Sequence, residues 1–212
     1  GGGQRVGNFI PFTDSHAVDN SCLFDGSSDY MNKTFSTSGT NRKKFTFSCW
    51  FKLGTLGVTE TLLSCDDTSS DNEFMFWVES GGNIRISNYV GGSNKLNLIT
   101  HRLFLDVSTW YNLVLEADST PSTPSISSIK LYINGSQIPS SGFSTETYPT
   151  QNFDFALGGA FDHEVGRYAL SDNNLWNGYI SEMVFIDGTC YDASSFGQTD
   201  TETNRWIPKD VS

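Results

Sequence analysis

The feature that most constrains the fold is a strict alternation of residue types between Lys44 and Leu53. In a β-strand, successive side chains point to opposite faces of the sheet, so a period of two over ten residues predicts a strand with a buried inner face. The inner positions are Phe45, Phe47, Cys49 and Phe51, and the outer positions are Thr46, Ser48, Trp50 and Lys52.

The remaining chain is divided into short apolar segments that end at Gly, Asn, Asp or Pro. The segment Leu175–Gly188 is apolar on both faces and stops at an Asp-Gly turn, and Asp192 then caps one short helical turn. About a dozen such segments occur, and none has a helical period. The pattern predicts an all-β, two-sheet antiparallel sandwich with no helix longer than about one turn.

A chain of 212 residues is the size of one large β-domain. We predict an irregular N-terminal arm over 1–19, a single sandwich over 20–198, and a C-terminal extension or linker over 199–212. The start has neither an initiator Met nor an apolar signal core, which indicates a processed chain or an excised domain.

The charge balance excludes one class of partner. With 13 Lys and Arg against 24 Asp and Glu, the net charge is −11. Nucleic-acid binding requires clustered basic residues, so no nucleic-acid partner is expected. No apolar run approaches the ~20 residues that cross a bilayer, so no membrane span is expected.

Four cysteines, Cys22, Cys49, Cys65 and Cys190, show no CxxC spacing and no paired histidine, which argues against a zinc site. Buried free thiols are the expected state.

An acidic segment is the candidate metal site. Asp66, Asp67, Asp71 and Glu73 lie among hydroxyl and amide side chains, and calcium binds six to eight oxygens from flexible loops of this kind. The spacing does not match an EF-hand loop, so an acidic hairpin loop kept for solubility is the alternative.

Glu182 is a further candidate, because strict alternation would place it on one face with Ile180 and Val184. A carboxylate among apolar neighbours needs a hydrogen-bond partner or has a raised pKa. It would be either a ligand or metal contact, or a structural group bound by backbone N–H groups or an arginine.

Two aromatic residues, Trp176 and Tyr89, lie beside polar Asn- and Gly-rich loops. If exposed, they would stack on a sugar ring or pack against a neighbouring subunit. Ordinary packing within the domain is the alternative.

Several stretches together suggest a family. They span residues 20–210 in order: 21–26, 41–52, 109–118, 130–137, 178–188 and 204–209. In this order they resemble the laminin G/pentraxin-like domains of the concanavalin A-like lectin/glucanase superfamily, in the version common in structural proteins of tailed bacteriophages.

The resemblance implies a jelly-roll sandwich on the surface of a virion, as capsid decoration, head fibre or tail component. Its partners would be other virion proteins, host-surface glycans and further copies of this chain in a homo-oligomer. Related domains often bind glycans with calcium, which makes calcium the candidate cofactor. End strands are often neighbours in this superfamily, so a Cys22–Cys190 disulfide is an alternative to free thiols.

The superfamily also contains glucanases, whose E-x-D-x-x-E pattern is absent here. Asp162 and Glu164 are the nearest substitute, since they would share a face of an extended strand. We therefore expect no catalytic residues. The leading hypothesis is a non-enzymatic virion protein. The alternatives are a calcium-dependent carbohydrate-binding domain of a larger secreted or surface protein and, third, a polysaccharide hydrolase.

Overall fold

The computed structural model describes Val18 and residues 20–68 and 71–211, so the predicted arm lies almost wholly outside the described residues. The described residues contain fifteen strands and two short 3₁₀ turns, Ser140–Gly142 and Ala193–Ser195. The strands are β1 Cys22–Asp25, β2 Met31–Thr34, β3 Lys44–Leu53, β4 Glu60–Asp66, β5 Asn72–Val78, β6 Asn83–Val90, β7 Ser93–Leu103, β8 Tyr111–Asp118, β9 Ile129–Ile133, β10 Ser136–Gln137, β11 Phe143–Thr147, β12 Asp162–Val165, β13 Asn177–Asp187, β14 Gly197–Thr199 and β15 Trp206–Pro208.

Thirteen of the strands form two antiparallel sheets, and β14 and β15 pair separately. One has six strands in the order β1-β13-β3-β8-β9-β10, and the other has seven in the order β11-β7-β6-β5-β4-β12-β2. The predicted two-sheet all-β sandwich is confirmed. Among the residues that the structure describes, no helix is long and apolar enough to cross a membrane.

The core lies between the sheets and is rich in phenylalanine. Phe45 and Phe47 of β3 contact Phe74 and Phe76 of β5, with ring centroids 6.0 and 5.9 Å apart. The inner face predicted for β3 is therefore confirmed. Its outer face is also buried: Trp50 is only 8% exposed, because a second layer covers this sheet.

That second layer comes from the C-terminal part of the chain. The β14–β15 hairpin follows the 3₁₀ turn at Ala193–Ser195. Asp192, the residue before this turn, accepts a hydrogen bond from Ser194 N with its carboxylate, as predicted for a cap. Phe196 and Trp206 pack on Val114 of β8 and form a small apolar cluster outside the main core. The predicted boundary between residues 198 and 199 falls within β14.

The outer face of the seven-stranded sheet is covered by the loop over residues 166–176. Ser64 of β4 donates its hydroxyl hydrogen to Arg167 O at 2.8 Å and accepts from Ala169 N at 3.0 Å. Tyr168 packs edge-on against Trp77. This loop therefore buries a sheet face that sequence alternation alone would leave open to solvent.

The four cysteines are all free. Cys49 and Cys65 are buried in the core, as expected, whereas Cys22 is exposed on the edge strand β1 and Cys190 is half-buried. The expectation that all four are buried is wrong for these last two, and the Cys22–Cys190 disulfide is absent.

Candidate functional site

Two of the four predicted acidic residues, Asp66 and Glu73, meet on the outer face of the seven-stranded sheet. Asp66, the last residue of β4, pairs with Glu73 of β5 and, on its other side, with Asp162 of β12. Glu73 in turn pairs with Tyr89 of β6. Because paired residues point to the same face, the register places three carboxylates and a phenol in one row.

Two of these carboxyl groups are buried, Asp66 at 3% and Glu73 at 5% exposure. Burial raises the pKa of both, and the nearby charge of Asp67 adds to the effect. Tyr168 donates a hydrogen bond to Glu73 Oε2 at 2.6 Å, and Thr68 N donates to Asp66 Oδ1 at 2.5 Å. Asp66 Oδ2 is buried and accepts no hydrogen bond from any described residue.

Asp71 is exposed and faces the turn after β6. Its carboxylate accepts a hydrogen bond from Gly92 N at 3.0 Å and its carbonyl accepts from Gly91 N at 3.2 Å. Among the described residues, which leave out Ser69 and Ser70 of this loop, no group of three or more His, Cys, Asp or Glu side chains is placed to hold a metal ion. The calcium role of Asp66, Asp67, Asp71 and Glu73 stays a prediction.

The two predicted aromatic contacts have different surroundings. Trp176 is 0% exposed and packs edge-on against Phe51 in the core, so its ring does not meet the condition for stacking on a sugar, and it shows the alternative, ordinary packing within the domain. Tyr89 is half-buried at the end of the acidic row, and its contact role stays a prediction.

Glu182 does not follow the expected alternation. The pairing of β13 with β3 shifts between Ser181 and Val184, and Glu182 has a positive φ of 48°. The residue is part of a β-bulge, so the prediction that it shares a regular strand face with Val184 is wrong. It lies at the wall of a cavity with Met183 and Ile180.

The carboxylates that would replace a glucanase pair are both engaged. Asp162 and Glu164 do share the outer face of β12, as expected for i and i+2. Arg167 binds both oxygens of Glu164 at 2.7 and 2.5 Å, and Thr34 donates a hydrogen bond to Asp162. Burial between Phe35 and Phe161 lowers the pKa of their neighbour His163.

A cavity on the outer face of the six-stranded sheet was not predicted. It has a volume of about 280 Å³ and is enclosed by the C-terminal hairpin and the residues that precede β1. Its walls include Trp50, Trp110, Trp206, Pro208, Val18, Asn20, Ser21 and Ser181. The tryptophans are far apart in the sequence. The strand order β13-β3-β8 and the C-terminal hairpin together bring them to one cavity.

Comparisons with solved structures identify the same architecture elsewhere. A carbohydrate-binding module (CBM40) of a Ruminococcus gnavus sialidase, bound to α2,3-sialyllactose, aligns with a TM-score of 0.55 at 14% identity over 84% of this chain and 97% of that chain. Domain 4 of the Geobacillus stearothermophilus arabinanase AbnA, in complex with arabinotriose, gives a TM-score of 0.55 at 17% identity over 81% of this chain and 72% of that chain. A heptameric pentraxin from Limulus polyphemus gives a TM-score of 0.50 at 17% identity over 77% of this chain and 73% of that chain.

At these identities the solved structures show a shared fold. A comparison with curated protein sequences finds no match. A family model does match, over residues 25–193, which is most of the chain and nearly all of the two main sheets. The chain belongs to this family, Laminin_G_3 of the concanavalin A-like lectin/glucanases superfamily.

Proposed function

We propose that this protein is a non-enzymatic, glycan-binding sandwich displayed on a bacteriophage virion as capsid decoration, fibre or tail component. The observation that carries the proposal is the family match over the sandwich itself, residues 25–193. It is supported by two sandwiches of the same fold whose structures hold sialyllactose and arabinotriose.

The state of the carboxylates supports a role without catalysis. Glycosidases position two carboxyl groups on either side of the bond they cleave. Here Glu164 is held by Arg167 and Glu73 by Tyr168, so both are occupied by internal partners. Neither group lines either of the two cavities of about 280 and 290 Å³.

The virion role rests on the order of the phage-type motifs from Ser21 to Lys209 and on the net charge of −11. An acidic surface suits display in a salty medium better than contact with packaged genome. Virion appendages repeat by symmetry, so we propose that the chain self-associates. The pentraxin of the same fold is heptameric, which supports this proposal.

A glycan array with the whole chain tests the binding role. We expect saturable binding to a defined set of oligosaccharides, and no release of reducing sugar from any glycan that binds. Release that disappears in an Asp162→Asn, Glu164→Gln variant would assign hydrolysis instead. Absence of binding across the array would refute the glycan role.

Light scattering and particle labelling test the virion role. We expect a closed oligomer in solution, and antibodies against the chain should label intact particles of its source. A monomer at all concentrations, together with unlabelled particles, would refute assembly on a virion.

A calcium-dependent carbohydrate-binding domain of a larger surface protein is the second candidate. Asp66 Oδ2, which is buried and has no hydrogen-bond partner among the described residues, favours it, since a cation would satisfy this oxygen. Calcium at about 100 times its dissociation constant would then raise the melting temperature by roughly 5–10 °C. EDTA should reverse the rise and Asp66→Asn should abolish it; no change with either reagent would rule this candidate out.

A further inference from the structure

One wall of the tryptophan-lined cavity on the six-stranded sheet, Trp206, is held in place by its neighbours. Trp206 of β15 donates its indole N–H to Asn112 Oδ1 at 2.9 Å, and Asn112 Nδ2 donates to Cys49 O at 3.2 Å. The ring also lies against Gly135 and Gly197, where a Cβ atom would overlap it. A hydrogen bond and two glycines thus hold this indole in a fixed orientation.

The other aromatic walls have different roles. Trp50 is 8% exposed on the outer face of β3, and forms the floor beside its strand neighbour Ser181. Trp110 is half-buried in the segment before β8, and its ring centroid lies 6.2 Å from that of Tyr179. It is the wall that can be changed with least effect on the core.

The polar lining groups can form hydrogen bonds with a ligand. Ser181 donates its hydroxyl hydrogen to Asn20 O at 2.7 Å, so its oxygen still has lone pairs with which to accept. Ser21 and Asn20 add a hydroxyl and an amide at the rim. None of the described lining residues is ionisable, although the chain carries a net charge of −11.

We propose that this cavity binds an uncharged sugar ring of a glycan, an inference that rests on the glycan-binding function proposed above. Aromatic faces pack against the apolar C–H surface of a sugar ring, while the hydroxyl and amide groups satisfy its hydroxyls. The described lining residues carry no ionisable group and so give a charged sugar no counter-charge. A volume of about 280 Å³, just below the usual range of small-molecule sites, suits a single ring.

The N-terminal arm of the same chain is the other candidate occupant of the cavity. Phe9, Ile10 and Phe12 are apolar and belong to residues 1–17, which lie outside the described part and precede Val18 at the cavity wall. The polar groups and neutral lining favour a sugar ring, and the experiment includes the arm as an outcome.

The test uses the full chain and two tryptophan variants. Arabinotriose and an array of other neutral oligosaccharides serve as probes, with α2,3-sialyllactose as the charged probe. The best neutral binder is then titrated by calorimetry and by tryptophan fluorescence. Trp110→Ala should weaken binding about tenfold or more, and Trp110→Phe, which keeps a ring, should weaken it less.

Trp77→Ala is the matched control, because it removes a half-buried tryptophan from the opposite sheet. We expect this variant to keep the affinity of the unchanged protein, and sialyllactose to bind more weakly than the neutral probe. Circular dichroism and melting temperature must show that each variant folds.

The outcomes separate this proposal from the broader one. If the protein binds glycans and Trp110→Ala keeps full affinity, the cavity proposal is wrong while glycan binding stands. If no glycan binds, both are wrong. The third outcome is that deletion of residues 1–17 changes the tryptophan emission, while no glycan changes it in the full or the shortened chain. In that case the arm, and not a glycan, occupies the cavity, and the cavity proposal is wrong.

Discussion

Glu60 is a carboxyl group whose removal should stabilise the protein. It is the first residue of β4, is 2% exposed and lies near Val78 and Phe104. Neither carboxylate oxygen makes a hydrogen bond of normal geometry with a described residue. Burial raises the pKa of Glu60 from 4.5 to about 8, and the backbone N–H of Asn177 opposes only part of this rise.

The size of the effect follows from the pKa. Below pH 4.5 Glu60 holds its proton in both the folded and the unfolded state, so its titration takes nothing from the free energy of unfolding. Above it the unfolded state ionises while the folded state keeps its proton, and stability falls until the pH passes about 8. At about 1.36 kcal/mol for each tenfold change in proton affinity, the total loss is about 5 kcal/mol.

Glu60→Gln removes this titration. The difference in unfolding free energy between variant and unchanged protein should therefore rise by about 4 kcal/mol from pH 4.5 to pH 8, and by about 5 kcal/mol over the whole titration, in favour of the variant. The unpartnered amide lowers the whole curve by about 1–3 kcal/mol without changing its slope. Other titrating groups cancel in the difference.

Urea unfolding followed by tryptophan fluorescence from pH 4 to pH 9 measures this difference. The matched control is Glu79→Gln, because Glu79 lines the same small cavity but is partly exposed and paired with Arg85. The control measures what the loss of a neighbouring, partly exposed carboxylate does to the curve. A flat curve for Glu60→Gln would show that Glu60 is ionised in the folded protein, and would refute the reasoning.

Three further predictions concern other parts of the sandwich. Gly135→Ala should lower the unfolding free energy by about 1–3 kcal/mol and alter the near-ultraviolet dichroism, because the new Cβ overlaps Trp206 and φ is +77°; an unchanged spectrum would contradict the fixed indole. His163 has a lowered pKa because it is buried, and its Nε2 accepts from Gly158 N, so its contribution to stability is present above pH 6.5 and is lost as the pH falls below it. His163→Gln should flatten that acid limb in urea unfolding, and an identical slope would count against it. Cys22 should react with a thiol reagent in the folded protein, whereas Cys49, whose thiol pKa is raised by burial, should react only on unfolding; equal rates would overturn this assignment.

Local patterns were sufficient for the fold class. The alternation from Lys44 to Leu53 is a property of neighbouring residues, and the structure has that strand with the same bounds. The capped turn at Asp192 is equally local. Strand pairing depends on contacts between distant residues, so the sequence alone did not show that Asp162 would lie beside Asp66.

The site predictions failed where distant segments determine burial. Trp176 follows a polar loop, but its backbone N–H bonds to Gly166 O and its ring enters the core. The bulge at Glu182 had no signal in the surrounding apolar residues. The tryptophan cavity was missed because Trp50, Trp110 and Trp206 approach one another only through the order of the strands and the C-terminal hairpin.

The position of β13 has a consequence for how the chain acquires its structure. It lies between β1 and β3, so Cys22 pairs with Ile180 and Phe51 pairs with the same residue from the other side. Until residues 177–187 have been synthesised, the apolar strand β3 has an open edge available to other chains. We therefore expect nascent chains that stop short of this strand to aggregate. We also expect slow folding, since the entropy cost of closing so long a loop comes before the stabilising contacts of β13 can form.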